Sequence, residues 1–288
     1  MTVRYKLGCE LAYEIMGPTS FVFNLQVARL QRHEELIEHL AITPDLPLRT
    51  YVNPDNKNRY FGLTAPAGRL EIKYTAEVTL REHRAHPNDV GEVPLEKLPL
   101  DIMPFLLPSR YVSSDRLAAF AAKEFGDLPK GHNRVTAVCN WIYDQIDYQR
   151  GSSTVFTTAD ETLLMRAGVC RDFAHLGIAF CRALNIPARF VSCYAYGLQP
   201  SDFHAVFEAY LDDRWWLFDA TRQANLDGLI RIGVGRDAAE IAFASPFGPM
   251  EAGPIKITIE RADGTPEIWG RTVDAVSTEE PAPHAGAI

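Results

Sequence analysis

From Cys170 to Leu184 the chain reads CRDFAHLGIAFCRAL, apolar nearly all round, and it is stopped by Asn185 and Pro187. A helix without a broad polar face has to be enclosed by the rest of the protein. The segments that follow are suited to enclosing it. ARFVSCYAYG reads as a strand, and FHAVFEAYLDDRWWLFDAT reads as two strands around a Leu-Asp-Asp-Arg turn. With Asp212-Asp213 as a two-residue turn, Leu211 pairs with Arg214 and the register follows. One face then carries Phe203, Ala205, Phe207, Ala209, Leu211, Trp216, Phe218 and Ala220 and must be core. The other carries His204, Val206, Glu208, Tyr210, Trp215, Leu217, Asp219 and Thr221. On it His204 stands opposite Thr221 and Val206 opposite Asp219, so His204 and Asp219 are diagonal neighbours. A three-residue loop would reverse this parity.

Cys170 opens the enclosed helix, just after Gly168-Val169. Unpaired backbone N–H groups and the positive end of the helix dipole meet a thiol there, and both favour thiolate. The same N–H groups suit the oxyanion of a tetrahedral intermediate. A nucleophilic thiol needs a base, and the base needs a partner that orients it. His204 and Asp219 supply residues of those two types on neighbouring strands. The expected catalytic set is therefore Cys170, His204 and Asp219.

The run GVCRDFAHLGIAFCRALNIPARFVSCYAYG, followed by FHAVFEAYLDDRWWLFDAT, resembles the core of the transglutaminase-like superfamily, whose papain-type triad runs Cys, His, Asp along the chain. The resemblance lies in Gly-x-Cys-Arg-Asp at a helix start, Ile-Pro-Ala-Arg entering a strand, the strand histidine, and Asp-Ala-Thr after a tryptophan. Two positions depart from the pattern: Ala220 stands where the family usually has Pro, and Val206 where a Trp usually follows His-Ala. IDYQRGSSTVFTTADETLLMRAG resembles the segment leading to the cysteine in bacterial members. TPDLPLRTYVNPDNKNRYFGL resembles the β-rich region that often precedes the core, and IRIGVGRDAAEIAFASPFGP the segment after the aspartate. The implied fold is α+β, a transglutaminase-like or cysteine-proteinase-like core with a central helix on an antiparallel sheet, preceded by a β-rich N-terminal domain.

The organisation of the chain agrees with that outline. Up to about residue 108 it reads mostly as strands and turns; RLEIKYTAEVTL alternates cleanly, whereas QRHEELIEHL fits either a short helix or a strand. A Pro-rich passage, EVPLEKLPLDIMPFLLPSRY, reads as a connector. SSDRLAAFAAKEFG is expected as a helix capped by Ser or Asp, and NRVTAVCNWIYDQIDY as a second. These readings divide the chain into a β-rich domain at 1–108, a catalytic domain at 109–270 and a disordered tail at 271–288.

Composition narrows the function classes. A net charge of −8 argues against nucleic acid or an anionic membrane as main partner. The five cysteines, odd in number and widely spaced, are no disulfide framework, which points to a reducing cytoplasm. No Walker, GxSxG or dinucleotide motif occurs, and no cofactor or metal is expected. His83 with His86, and His33 with His39, lack further ligands. His175 reads as structural, Arg171 and Asp172 as support for the helix start, and Trp141 and Tyr148 as packing near the site. The expected activity is amide chemistry through a thioester on a peptide, protein or isopeptide. Water as acceptor makes a peptidase or amidase and is favoured; an amine makes a transglutaminase. A non-catalytic peptide-binding protein of the same fold is the rival of another class, and acyl transfer to an aromatic amine a third possibility.

Overall fold

A computed structural model describes residues 2–264 and 272–280. The N-terminal region consists of strands β1 (Thr2–Ile15), β2 (Thr19–Phe23), β3 (His33–Thr43), β4 (Arg49–Val52), β5 (Arg59–Ala65), β6 (Gly68–Arg81) and the short β7 (His83–Ala85). Alternation sets their pairing. Tyr5, Leu7, Cys9, Leu11 and Tyr13 of β1 and Leu70, Ile72, Tyr74, Ala76 and Val78 of β6 are buried. The two strands pair antiparallel without interruption from Thr2↔Arg81 to Ile15↔Gly68. QRHEELIEHL falls largely on β3, which pairs with β6 through a bulge between Glu34 and Ile37. Its Glu38 explains the choice of strand: the carboxylate accepts from both Arg59 Nη atoms at 2.7 Å and from Tyr74 Oη at 2.8 Å, partners that only this pairing brings together.

Helices α1 (Ala118–Phe125), α2 (His132–Gln145), α3 (Ala159–Met165) and α4 (Cys170–Ala183) follow, with a two-residue parallel ladder of β8 (Asp147–Tyr148) and β9 (Ala167–Gly168) between them. The first helix starts later than the sequence suggests. Ser113 does not cap it, because its hydroxyl donates to Asp160 at the start of α3, 2.6 Å away. Next come β10 (Ala188–Ala195), β11 (Phe203–Leu211), β12 (Arg214–Phe218) and β13 (Leu229–Gly235), an antiparallel sheet in the order β12-β11-β10-β13. Helix α4 lies across it. Gly177 permits the close approach, since a Cβ there would stand 2.5 Å from the Phe207 ring. The molecule is thus α+β, a transglutaminase-like core behind a β-rich N-terminal region.

Two boundaries drawn from the sequence are corrected. Strands β14 (Ala244–Phe247), β15 (Met250–Ala252) and β16 (Lys256–Arg261) fall in the stretch assigned to the catalytic domain, yet they pair with β2 and β1. The chain returns because β1 has an open edge there, and Ile257 is buried against the N-terminal core. That core also takes in Tyr194, Ile230 and Ile232 from the β10–β13 sheet, so the two regions are fused through shared apolar packing. The tail expected to be disordered from 271 is ordered over 272–280. There β17 (Ala275–Ser277) pairs with β7, Ala275, Val276, Ser277 and Thr278 are buried, and Glu279 meets Arg189 and Arg231. Apolar and charged partners waiting on the sheet outweigh the polar composition of the segment. Residues 265–271 and 281–288 lie outside the described residues.

Candidate active site

The β11–β12 turn has the expected length. Asp212 and Asp213 both adopt left-handed backbone, with φ of 48° and 55°, and Leu211 pairs with Arg214. Two successive positive φ values match the twist of a two-residue hairpin. The ladder runs to Phe207↔Phe218 and ends there, so Asp219 and Thr221 stand just past the strand rather than within it. Asp219 is fixed by its own turn: Oδ1 accepts from Thr221 N at 2.8 Å and Thr221 Oγ1 at 2.7 Å. Its Oδ2 lies 3.0 Å from His204 Nε2. A carboxylate only accepts, so Nε2 carries the proton and Nδ1 is the atom left for other work.

His204 and Asp219 are both buried, whereas Cys170 is partly exposed. Burial works against a charged imidazole, but the Asp219 carboxylate, its hydrogen bond and the neighbouring Cys170 thiol overcome it, and the His204 pKa is raised to about 10. For Asp219, burial favours the neutral acid; the charge of His204 and the bonds from His204 and Thr221 outweigh it and hold the pKa below the usual value. The buried Nδ1 has no partner at conventional hydrogen-bond geometry. The Cys170 thiol is near enough to raise the His204 pKa but makes no conventional hydrogen bond to this nitrogen.

Cys170 is the first residue of α4. Asp172, fully buried, accepts from Val169 N at 2.9 Å and from Arg171 Nη2 at 2.8 Å, and so satisfies a donor that a helix start leaves open. Gly168 makes room for it: a Cβ there would stand 2.8 Å from the Asp172 Cβ. The Gly-x-Cys-Arg-Asp run is therefore one device that sets the position of the helix start. His175, on the same helix, is buried between Tyr111 and Phe190 with ring centroids 5.0 Å away on either side, and its Nε2 accepts from Ala238 N at 3.2 Å. Desolvation lowers its pKa to about 3, so it stays neutral, as a structural residue would.

Tyr148 holds a more specific place than packing near the site. The β8–β9 ladder sets it opposite Gly168, two residues before Cys170. Its hydroxyl lies close enough to Cys170 that burial and the nearby sulfur push its pKa up to about 12, so it remains a phenol. Trp141, in contrast, packs with Phe120, Phe125 and Phe180 under the helices. The sequence signal for Tyr148 was only its short distance ahead of the cysteine. A second group not foreseen is the buried cluster of Arg189, Glu208, Arg231 and Glu279 on the same face of the sheet as His204. Among the described residues no group of three or more His, Cys, Asp or Glu forms a metal site, and no helix is long and apolar enough to cross a membrane.

Comparison with known proteins places this geometry in a family. Residues 119–220 match the transglutaminase-like superfamily core, and residues 3–101 match the bacterial transglutaminase N-terminal domain. A protein of Cytophaga hutchinsonii, described with its crystal structure as a candidate cysteine protease, is 39% identical; the match covers 97% of this chain and 98% of that one, with a TM-score of 0.91. An uncharacterised Mycobacterium leprae protein is 29% identical over 146 residues, 48% of this chain and 52% of its own length. An uncharacterised protein of Mycobacterium tuberculosis is 40% identical over 83 residues, 28% of this chain and 26% of its own. The chain thus spans about half or less of the curated relatives it matches. From the two matched regions and the full-length structural likeness, the chain belongs to the transglutaminase-like superfamily, with a bacterial transglutaminase N-terminal domain ahead of the core.

Proposed function

We propose that this protein cleaves amide bonds in peptides or proteins through a thioester on Cys170. The observation that carries the reading is the orientation of His204: Nε2 is committed to Asp219 at 3.0 Å, which leaves Nδ1 for the thiol at the start of α4. In the proposed reaction Cys170 Sγ passes its proton to His204 Nδ1 and attacks the carbonyl carbon. The oxyanion takes hydrogen bonds from Cys170 N–H and the Tyr148 phenol. Nδ1–H then protonates the leaving amine as the C–N bond breaks and the thioester forms. Water, losing a proton to His204, attacks the thioester; the acid departs and the thiol is restored.

Hydrolysis is favoured over transfer to an amine by the 39% identity to a candidate cysteine protease along nearly the whole chain. The negative net charge and five cysteines that form no disulfide support a substrate other than nucleic acid and a reducing, cytoplasmic setting. The test is cleavage of a peptide library with and without an added primary amine, read by mass spectrometry. Cleavage products alone support the peptidase; amine adducts that replace them make the protein a transglutaminase. Cys170→Ala is expected to abolish both. Turnover that survives Cys170→Ala would refute the proposal.

A further inference from the structure

Four exposed apolar side chains lie on the two segments that precede Cys170 in the chain. Val155 is 64% exposed, Phe156 70%, Leu164 82% and Met165 48%. Phe156, Leu164 and Met165 line one shallow cavity of about 270 Å³, with Thr154 and Glu161 at its polar edge. Slack in the loop does not account for this exposure. Tyr111 Oη donates to Val155 O at 2.7 Å, Arg171 Nη2 donates to Thr154 O at 2.6 Å, and the Ser153 hydroxyl donates to Asp172. On the other side, Thr158 and Glu161 form a capping box that fixes the start of α3. Large apolar side chains held out into water by a fastened backbone mark a place where something binds.

The position of the patch indicates what binds. Its two segments, 153–157 and α3, are the ones that leave and re-enter the β8–β9 ladder, and that ladder carries Tyr148 and Gly168. Two of the three loop anchors are Arg171 and Asp172, the first residues after Cys170. The surface therefore shares its backbone supports with the start of α4, where Cys170 would hold the substrate amide. We propose that the cavity is a subsite for a large apolar side chain, of leucine, methionine or phenylalanine type, on a substrate peptide in extended form, a few residues from the bond attacked. This rests on Cys170 being the nucleophile.

The test uses the full chain. Acylation by p-nitrophenyl acetate, which has no side chain to fill the cavity, is measured first by intact mass and mapped to a residue. Peptide-library cleavage is then normalised to that acylation for the wild type, Phe156→Ser, Leu164→Ser and the conservative Phe156→Leu. The expected result is a preference for large apolar residues at one position, reduced about tenfold by either serine variant and kept by Phe156→Leu, the scale set by lost apolar contacts in a pocket. No preference in the wild type, or the same preference in the serine variants, overturns the proposal. So does a change of oligomeric state in those variants, which would make a second copy the occupant. Failure of the ester to acylate Cys170 instead removes the nucleophile on which the proposal rests.

Discussion

The two faces of the sheet β12-β11-β10-β13 are built on opposite terms. Toward α4 it presents Ala205, Phe207, Ala209, Leu211, Trp216 and Phe218, all in one apolar cluster with the helix. On its other face it buries charge: His204 with Asp219, near Cys170, and Arg189 with Glu208 and with Glu279 of the strap 272–280. Apolar packing stabilises by removing surface from water. Buried charges cost free energy unless paired, and a buried pair is weak support for stability as such. The two charged groups differ in what they leave open. The arginine cluster binds a strap from the C-terminal region across the sheet. The His204–Asp219 pair leaves one ring nitrogen uncommitted beside Cys170. One pairing fastens; the other leaves His204 Nδ1 without a partner, the atom to which the proposed function assigns proton transfer.

The largest expected effect separates these uses of charge. Glu279→Ala leaves Arg189 and Arg231 short of a carboxylate and is expected to cost about 3 to 5 kcal/mol in denaturant unfolding, the range for breaking a buried pair. Acylation per folded molecule should stay as in the wild type; a loss of rate in fully folded protein would mean that the strap also shapes the site. Next, Tyr148→Phe removes a proposed oxyanion donor and should slow acylation on the order of 10²-fold while thermal stability is kept. A rate equal to wild type would return Tyr148 to packing alone. On the apolar face, Gly177→Val forces a side chain into the Phe207 ring and is expected to cost about 1 to 3 kcal/mol. A smaller cost would mean that α4 and β11 can separate more easily than the contact implies.

Taken per pH unit, the smallest change is a pH slope. The folded-state pKa of His204 is raised above its ordinary value, so its contribution to stability is fully present below about 6.5 and is lost as pH rises through about 10. The stability advantage of the wild type over His204→Gln should therefore shrink across that window, by no more than about 1.4 kcal/mol per pH unit. A difference that grows with pH would show that His204 is held neutral.

The features legible in the sequence were those set by short-range periodicity. The buried helix from Cys170, the two-residue turn at Asp212-Asp213, and a wholly apolar hairpin face all follow from spacing, and the resemblance joined Cys170, His204 and Asp219. What was not legible depended on distant partners. Glu279 sits in STEEPAP, a string that looks solvated until Arg189 and Arg231 are placed under it. The return of β14 to β16 onto β1 and β2 joins residues about 240 positions apart, and no local pattern records that. QRHEELIEHL stayed ambiguous because Arg59 and Tyr74, the partners of Glu38, come from other strands. Tyr148 was seen, but its place near Cys170 depends on the β8–β9 ladder, two residues long and too short for any periodic signal.

The central claim is that Asp219 holds His204 in the orientation that serves Cys170. Single-turnover acylation by an activated ester, compared between wild type and Asp219→Asn with circular dichroism as the folding control, addresses it directly. A serine triad loses about 10⁴ in rate on the equivalent change, because the wrong tautomer is favoured. A thiol gives up its proton far more readily than a hydroxyl and leans less on the base, so a smaller loss is expected, on the order of 10 to 10³. The acyl group should map to Cys170 in both proteins, and their spectra should coincide. Undiminished acylation in a folded Asp219→Asn variant would contradict the claim and make this carboxylate a structural residue.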